Sequence, residues 1–466
     1  MDHGTGRAAD SGAIAQASVM LPDGGFADTP LRWSGGRFVL EPPGPPARPA
    51  EPEAGSIRRW VIPGMVDAHL HAGWHAFDAV DRNRETPEQR AALIAETLRR
   101  TLHAGITSVR DAGGLREREA FEGPTGAAAR QPTERSAGWG GLREREAFEG
   151  PTGAAARQPT APRLQTSVVL IDRAEADRSG GAVAAADRAL AEGARWVKLM
   201  ATAGVAAPAG TPLDPVFTRA EQRAVVERAA ETGAAVMVHA WGGGAIDDAI
   251  EAGAASIEHG IYLTEEQASR AAERGMTLVP TLRIYRLVQG MIARGELPTA
   301  FRTRVDEAVA AHPRAVLRAR DAGLAIALGT DYGTRDQHGT NRSEFDELVR
   351  AGLSPSEALV AATRAGAELL RRAAPAGRRA ELPSGAIAHG EVADAVVLRR
   401  DPREPGALSA PDAVVAVVLG GRVIDVAGSA PGSPPGSRPG LDPGPDRHPD
   451  PDPNPLDHHP AREDHP

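Results

Sequence analysis

Eight times along this chain a short run rich in apolar and β-branched residues gives way to a helical stretch, and that alternation constrains the fold more than any other feature. The candidate strands end near His69, Asp111, Leu170, Lys198, His239, His259, Pro280 and Asp331. Parallel strands need a crossover between them, and a helix supplies it. Eight such units read as an α/β fold of the (β/α)8, TIM-like barrel type. The helices announce their own ends. Thr86-Pro87 opens one with a capping threonine and a proline in the first turn, Thr218 to Glu221 and Ser354-Pro355-Ser356-Glu357 read as capping boxes, and Gly233 and Gly275 follow the ends of helical segments.

Outside the alternation, Ala13 to Met20 and Arg37 to Leu40 read as strands on one side, and Ala393 to Arg399 and Ala413 to Asp425 on the other. The two ends are expected to pair into a small β-sandwich domain beside the barrel. The chain therefore divides into a disordered start (1–12), a composite β-domain (13–58 and 385–426), a barrel (59–384) and a disordered tail (427–466). The tail is Pro, Asp, Gly and His with seven acidic and three basic residues, and it buries too little to offset its ordering entropy. Its His448, His458, His459 and His465 read as solvated. Residues 113–133 recur unchanged at 140–160. Solenoid repeats drift and come in larger numbers, so this pair reads as a recent duplication or an assembly artefact, an insert within 113–160 after the second strand.

Composition narrows the function. A net charge of −9 without a basic cluster argues against a nucleic-acid surface. No stretch approaches the roughly 18 apolar residues of a membrane span, and no basic-then-apolar leader opens the chain, so a cytoplasmic protein with no membrane partner is expected. With no cysteine, thiolate catalysis and disulfides are excluded, and any metal must be held by histidine and carboxylate.

Lys198 is the only lysine among 53 basic side chains. A lysine can be driven to its neutral form by burial, whereas arginine cannot, and only a neutral amine forms a Schiff base or takes up CO2 as a carbamate. Codon bias explains the depletion of lysine but not the survivor's place at the end of an apolar run. In Val61 to His71, His69 and His71 lie two residues apart as a strand runs out, so both rings point to one side and one metal can take both. His239, His259 and Asp331 each end another candidate strand. The carboxyl ends of barrel strands form the rim that carries catalytic groups.

These residues carry a resemblance. The runs Pro63-Gly64-Met65-Val66-Asp67-Ala68-His69-Leu70-His71, Gly105 to Gly113, Ser256-Ile257-Glu258-His259-Gly260 and Gly329-Thr330-Asp331, with Gly385 to Asp394, resemble the amidohydrolase superfamily, in its imidazolonepropionase-like and prolidase-like branch. The resemblance implies a binuclear centre: His69, His71 and Asp331 on one metal, His239 and His259 on the other, and a CO2-derived carbamate on Lys198 bridging them. It implies two divalent ions, with zinc the usual metal, and Asp331 and Lys198 as the catalytic pair. The reaction implied is hydrolysis of an amide, cyclic amide or dipeptide-like C–N bond in a small-molecule substrate. A homo-oligomer is left open.

Tyr262, Arg283, Tyr285 and His338, with His75, follow candidate strands and are candidate substrate contacts, Arg283 being suited to a carboxylate. Trp241 stands where relatives often carry a second histidine. His103 and His312 read as structural. Two other readings stay open: a Schiff-base lyase using Lys198, which leaves the rim histidines unexplained, and a catalytically inactive scaffold.

Overall fold

The chain enters the fold through five short strands, β1 (Gly12–Ile14), β2 (Ala17–Met20), β3 (Phe26–Asp28), β4 (Leu31–Ser34) and β5 (Arg37–Phe38). The computed structural model describes residues 10–40, 58–77, 82–115, 160–375 and 377–426. The expectations for the extreme N-terminus, for most of the duplicated segment and for the tail fall outside the described residues. In β4, Leu31 and Trp33 are buried while Arg32 and Ser34 face solvent, the period-two pattern of a half-buried strand. β6 (Arg59–Pro63) then runs parallel to β2, with Val19 opposite Val61.

Nine strands follow around the barrel: β7 (Met65–Leu70), β8 (Ile106–Asp111), β9 (Arg163–Thr166), β10 (Leu170–Ile171), β11 (Trp196–Met200), β12 (Ala235–Ala240), β13 (Ser256–His259), β14 (Thr277–Val279) and β15 (Ala325–Ile326). All their pairings are parallel, β7-β8-β9 in one ladder and β10 through β15 in another. Backbone bonds join the ladders. Arg195 N donates to Thr166 O at 2.9 Å, linking β9 to the start of β11. Ala68 N donates to Leu328 O and His71 N to Tyr332 O, both at 2.8 Å, linking β7 to the chain beyond β15. The result is a TIM barrel with a small domain. Helices such as Pro87–His103, Arg219–Glu231 and Pro355–Val360 open on the capping boxes of Thr86, Thr218 and Ser354, so these boundaries lie where the local chemistry put them.

β16 (Ala395–Leu398), β17 (Val414–Leu419) and β18 (Arg422–Asp425) complete a sheet of order β18-β17-β16-β6-β2-β3. β17 turns into β18 at Gly420-Gly421, whose φ values of 57° and 81° are those of a two-residue hairpin that only glycine adopts without strain. Leu31, Trp33 and Phe38 from the other sheet share one apolar core with Val19, Val61, Ala395 and Val418. At the barrel's lower end, Ala367, Leu369 and Leu370 pack with Val66, Trp196 and Met237. The Gly366–Leu370 helix thus plugs the barrel where its strands begin.

Several sequence readings are corrected here. The third barrel strand is Arg163–Thr166, and the expected run to Leu170 is broken at Val168, whose φ is 64°. Asp331 lies past the paired part of β15 and reaches the rim through an irregular segment. Ala13 to Met20 is two strands, and β3 and β4 were not foreseen, because their short mixed sequences show no period on their own. Among the described residues no helix is long and apolar enough to cross a membrane.

Candidate metal centre

A strand that ends on a histidine, repeated around a closed ring, delivers side chains to one point. Asp331 Oδ1 lies 3.3 Å from His69 Nε2 and 3.2 Å from His71 Nε2, and one ligand atom from each of the three residues falls within 4.8 Å of the others. Lys198 Nζ stands 3.3 Å from His69 Nε2. The His259 ring is 5.1 Å from that of His69, and the His239 ring is 4.6 Å from that of His259. All six rim residues singled out in the sequence therefore meet at the carboxyl ends of the strands. The register makes this possible, since His239 sits opposite Met200 and His259 opposite Ala240.

The backbone here is strained. His259, Thr281 and Asp331 have φ values of 70°, 52° and 54°, a left-handed conformation that costs a side-chain-bearing residue about 1–2 kcal/mol. At Asp331 the chain is held to the histidine strand, because Thr330 N and Asp331 N both donate to His69 O. Asp67, fully buried, braces the same junction by accepting from Thr330 Oγ1 at 2.7 Å and Asn341 Nδ2 at 2.8 Å.

Partners behind the rings decide which nitrogen faces the centre. The carboxylate of Glu258 lies 2.6 Å from His69 Nδ1, and the Gly113 carbonyl lies 2.8 Å from His71 Nδ1. Each is an acceptor, so each Nδ1 carries the proton and each Nε2 presents a lone pair. His259 Nδ1 is 2.7 Å from Thr281 Oγ1. His239 Nε2 is buried and has no hydrogen-bond partner among the described residues. A buried nitrogen left without a partner is costly unless something occupies the space before it, and the donor set of imidazoles and one carboxylate suits a divalent cation. The residues present therefore fit a metal.

Electrostatics point the same way. Burial and the Lys198 charge push His239 down to about 3, and burial takes His71 and His259 down as well, so these rings are neutral at pH 7, as ligands must be. Burial lowers Lys198 to about 8, with Glu258 and Asp331 opposing, which leaves an appreciable neutral fraction at neutral pH. Burial opposes ionisation of Asp331, but His69, His71 and His259 outweigh it and hold the carboxyl well below its usual range. Glu258 is held at about 2 because Arg110 and His69 overcome its burial.

Glu258 and Arg110 were missed in the sequence. Arg110, fully buried, spans the barrel interior, donating to Ala68 O, Ser256 Oγ and both Glu258 oxygens, with its guanidinium 4.4 Å from the Trp196 ring centroid. The available signal was a charged residue inside each of two strand-like runs, which survives burial only when paired. The outer candidates divide. Tyr285 is buried with its ring 6.1 Å from that of His259. Arg283 lies one residue into its helix, and its Nε is buried without a partner among the described residues. His338 is fully buried beside Tyr332, and His75 is bound to Glu85. Tyr262 is part-exposed and packs on the Gly242 turn. His312 is closer to the site than its helix suggested: its Nε2 bonds to the His259 carbonyl at 2.9 Å.

A model of the amidohydrolase family matches residues 60–424. This chain belongs to that family. It is a hydrolase acting on carbon–nitrogen bonds. An uncharacterized protein of Mycobacterium tuberculosis is 28% identical over 367 residues, 76% of this chain and 84% of its own length. The ochratoxinase of Aspergillus niger is 32% identical over 241 residues, 51% of this chain and 48% of its own. Its crystal structure superposes with a TM-score of 0.68 at 21% identity, covering 89% of this chain and 96% of that one. A Xaa-Pro dipeptidase crystallised with methionine in its active site superposes with a TM-score of 0.68 at 23% identity, covering 88% and 98%. At these identities the two superpositions speak for the fold, a barrel with a small domain.

Proposed function

We propose that this amidohydrolase is a metal-dependent enzyme that cleaves an amide, cyclic amide or dipeptide-like bond, in which His69, His71 and Asp331 would hold one divalent ion, His239 and His259 a second, and carboxylated Lys198 would serve both. The observation that carries this reading is the meeting of those six groups, with Lys198 Nζ 3.3 Å from His69 Nε2 and the Asp331 carboxylate within 3.3 Å of both first-strand histidines. When bound by these residues, divalent ions, zinc being the expected metal, would make hydroxide available at neutral pH and polarise a carbonyl.

The chain's own groups do the rest. The neutral Lys198 amine attacks CO2, forming an N–C bond and releasing one proton, and the resulting carbamate is a carboxylate that a free amine cannot imitate. Asp331, ionised at all working pH values, takes the proton from the attacking water and hands it to the leaving nitrogen. Arg283, whose Nε is buried without a partner among the described residues, is suited to take a substrate carboxylate in its guanidinium fork, and Tyr285, with Tyr262 and His338, completes the set of candidate substrate contacts. A small-molecule amide bearing a free carboxylate suits Arg283, and the ochratoxinase and Xaa-Pro dipeptidase relatives set the first substrates to try: ochratoxin and Xaa-Pro dipeptides.

The test is elemental analysis of protein prepared with bicarbonate, beside Lys198→Ala. About two metals per chain in the parent, a clear loss in the variant, and a carbamate carbon signal from labelled bicarbonate present only in the parent are expected. Metal content indifferent to Lys198 would sink the bridged centre.

A further inference from the structure

Many arginines of this protein are matched by carboxylates: Arg99 with Glu96, Arg173 with Glu221, Arg219 with Asp248, Arg270 with Asp247 and Glu251. A cluster of four around one cavity is not matched in this way. Arg364, Arg371, Arg372 and Arg379 line an open cavity of about 530 Å³ together with Ser384. Two glutamates, Glu368 and Glu391, reach the same cavity, too few to balance four guanidinium groups. Arg364 approaches Glu368 only to 3.8 Å, beyond a hydrogen bond. Arg372 donates to a backbone carbonyl, that of Gly275, and not to a carboxylate. Desolvation depresses its charge, with the neighbouring Arg379 adding to the effect against Glu368. Nε of Arg371 and Oγ of Ser384 are both buried without a hydrogen-bond partner among the described residues.

The cavity is remote from the metal centre. Arg364 and Arg371 flank the helix that plugs the lower end of the barrel, where Gly366 lies against Val66 near the start of β7. Gly385, next to Ser384, sits on the backbone of Thr363 and Arg364, where a Cβ would come within 2.6 Å of Arg364 Cα. Gly275 stands just ahead of β14. All of these mark the strands' amino ends, opposite the histidine rim, so an occupant here is not the substrate of the metal centre.

We propose that this cavity is a binding site for a small, multiply charged anion of the phosphate class, free or carried on a metabolite. Planar guanidinium forks match phosphate oxygens in pairs. An anion there relieves the repulsion among four cations gathered on a chain of net charge −9, and it gives acceptors to the buried Arg371 and Ser384 donors, whose unpaired burial otherwise costs stability. The cavity exceeds one phosphate, which leaves room for an organic portion.

The test is calorimetric titration of the full-length, metal-loaded protein with inorganic phosphate at constant ionic strength set by chloride, repeated on Arg371→Gln, Arg379→Ala and Asp331→Asn. Saturable binding that Arg371→Gln and Arg379→Ala each weaken tenfold or more, with Asp331→Asn unaffected, is expected. Phosphate should also raise the melting temperature of the parent and leave that of Arg379→Ala, an exposed position, unmoved. No saturable binding, affinity indifferent to the two arginines, or binding lost only in Asp331→Asn would overturn the proposal, the last by placing phosphate at the rim. Because the readout is binding at the barrel's far end, its failure leaves the metal-centre reading untouched.

Discussion

Glu258 touches no candidate position for a metal, yet it governs His69. Its carboxylate accepts a hydrogen bond from Nδ1–H and so aims the Nε2 lone pair at the rim, while Arg110 holds the carboxylate in place. Glu258→Gln keeps the shape and removes the charge. The buried Arg110 is then left without its counter-ion, a loss of about 3–5 kcal/mol for a broken buried pair, and His69 loses a charged acceptor, a change that costs about 10–100-fold in metal affinity. Thermal melts check the first and competition with a chelator the second. A lower melting temperature with unchanged affinity would reduce Glu258 to a structural role. Histidines two apart in a strand can be read from a sequence because the period puts them on one face. The Arg110–Glu258 pair cannot be read that way, since its members are 148 residues apart and neither strand alone shows what the other contributes.

At the scale of elements, the critical one is the segment that carries Asp331 from β15 to β7. Regular pairing ends at Ile326, and the chain then follows β7 through bonds to Leu328, Thr330 and Tyr332. Gly329 lets it pass. A Cβ at this position would stand 2.4 Å from Val279 Cγ1 and 2.9 Å from His69 Cβ. Gly329→Ala must push the segment off β7, with about 1–3 kcal/mol of overpacking, and should separate Asp331 from His69. Urea denaturation should show the loss of stability and elemental analysis a loss of bound metal; a variant with parental metal content would show that the closure tolerates the shift. Helix starts were legible because a capping box is a bond within four residues, as at Thr86, Thr218 and Ser354. The third strand was misplaced because a left-handed Val168 leaves no mark in the sequence.

For the whole molecule, buried histidines set the response to acid. Burial holds His312 at about 4 and His338 at about 3, with neighbouring cations adding to the effect at His338, against about 6.5 in the unfolded chain. Between those values the unfolded state binds more protons than the folded one, so stability falls as the pH drops from about 6.5 toward 4, by about 1.4 kcal/mol per pH unit for each such histidine. His312→Gln should flatten that slope by one proton's worth, read from urea midpoints at pH 5, 6 and 7; an unchanged slope would mean His312 is not neutral and buried as placed. The sequence alone determined the alternation of strands and helices, the caps, and which apolar runs carry the histidines and the lysine, because each is set by neighbours a few residues away. Only the tertiary structure decided that the ring closes through the irregular chain after β15, that Arg110 finds Glu258 across the barrel, and that four arginines gather unmatched beneath it. Those arrangements depend on contacts between residues remote along the chain, and no local period encodes them.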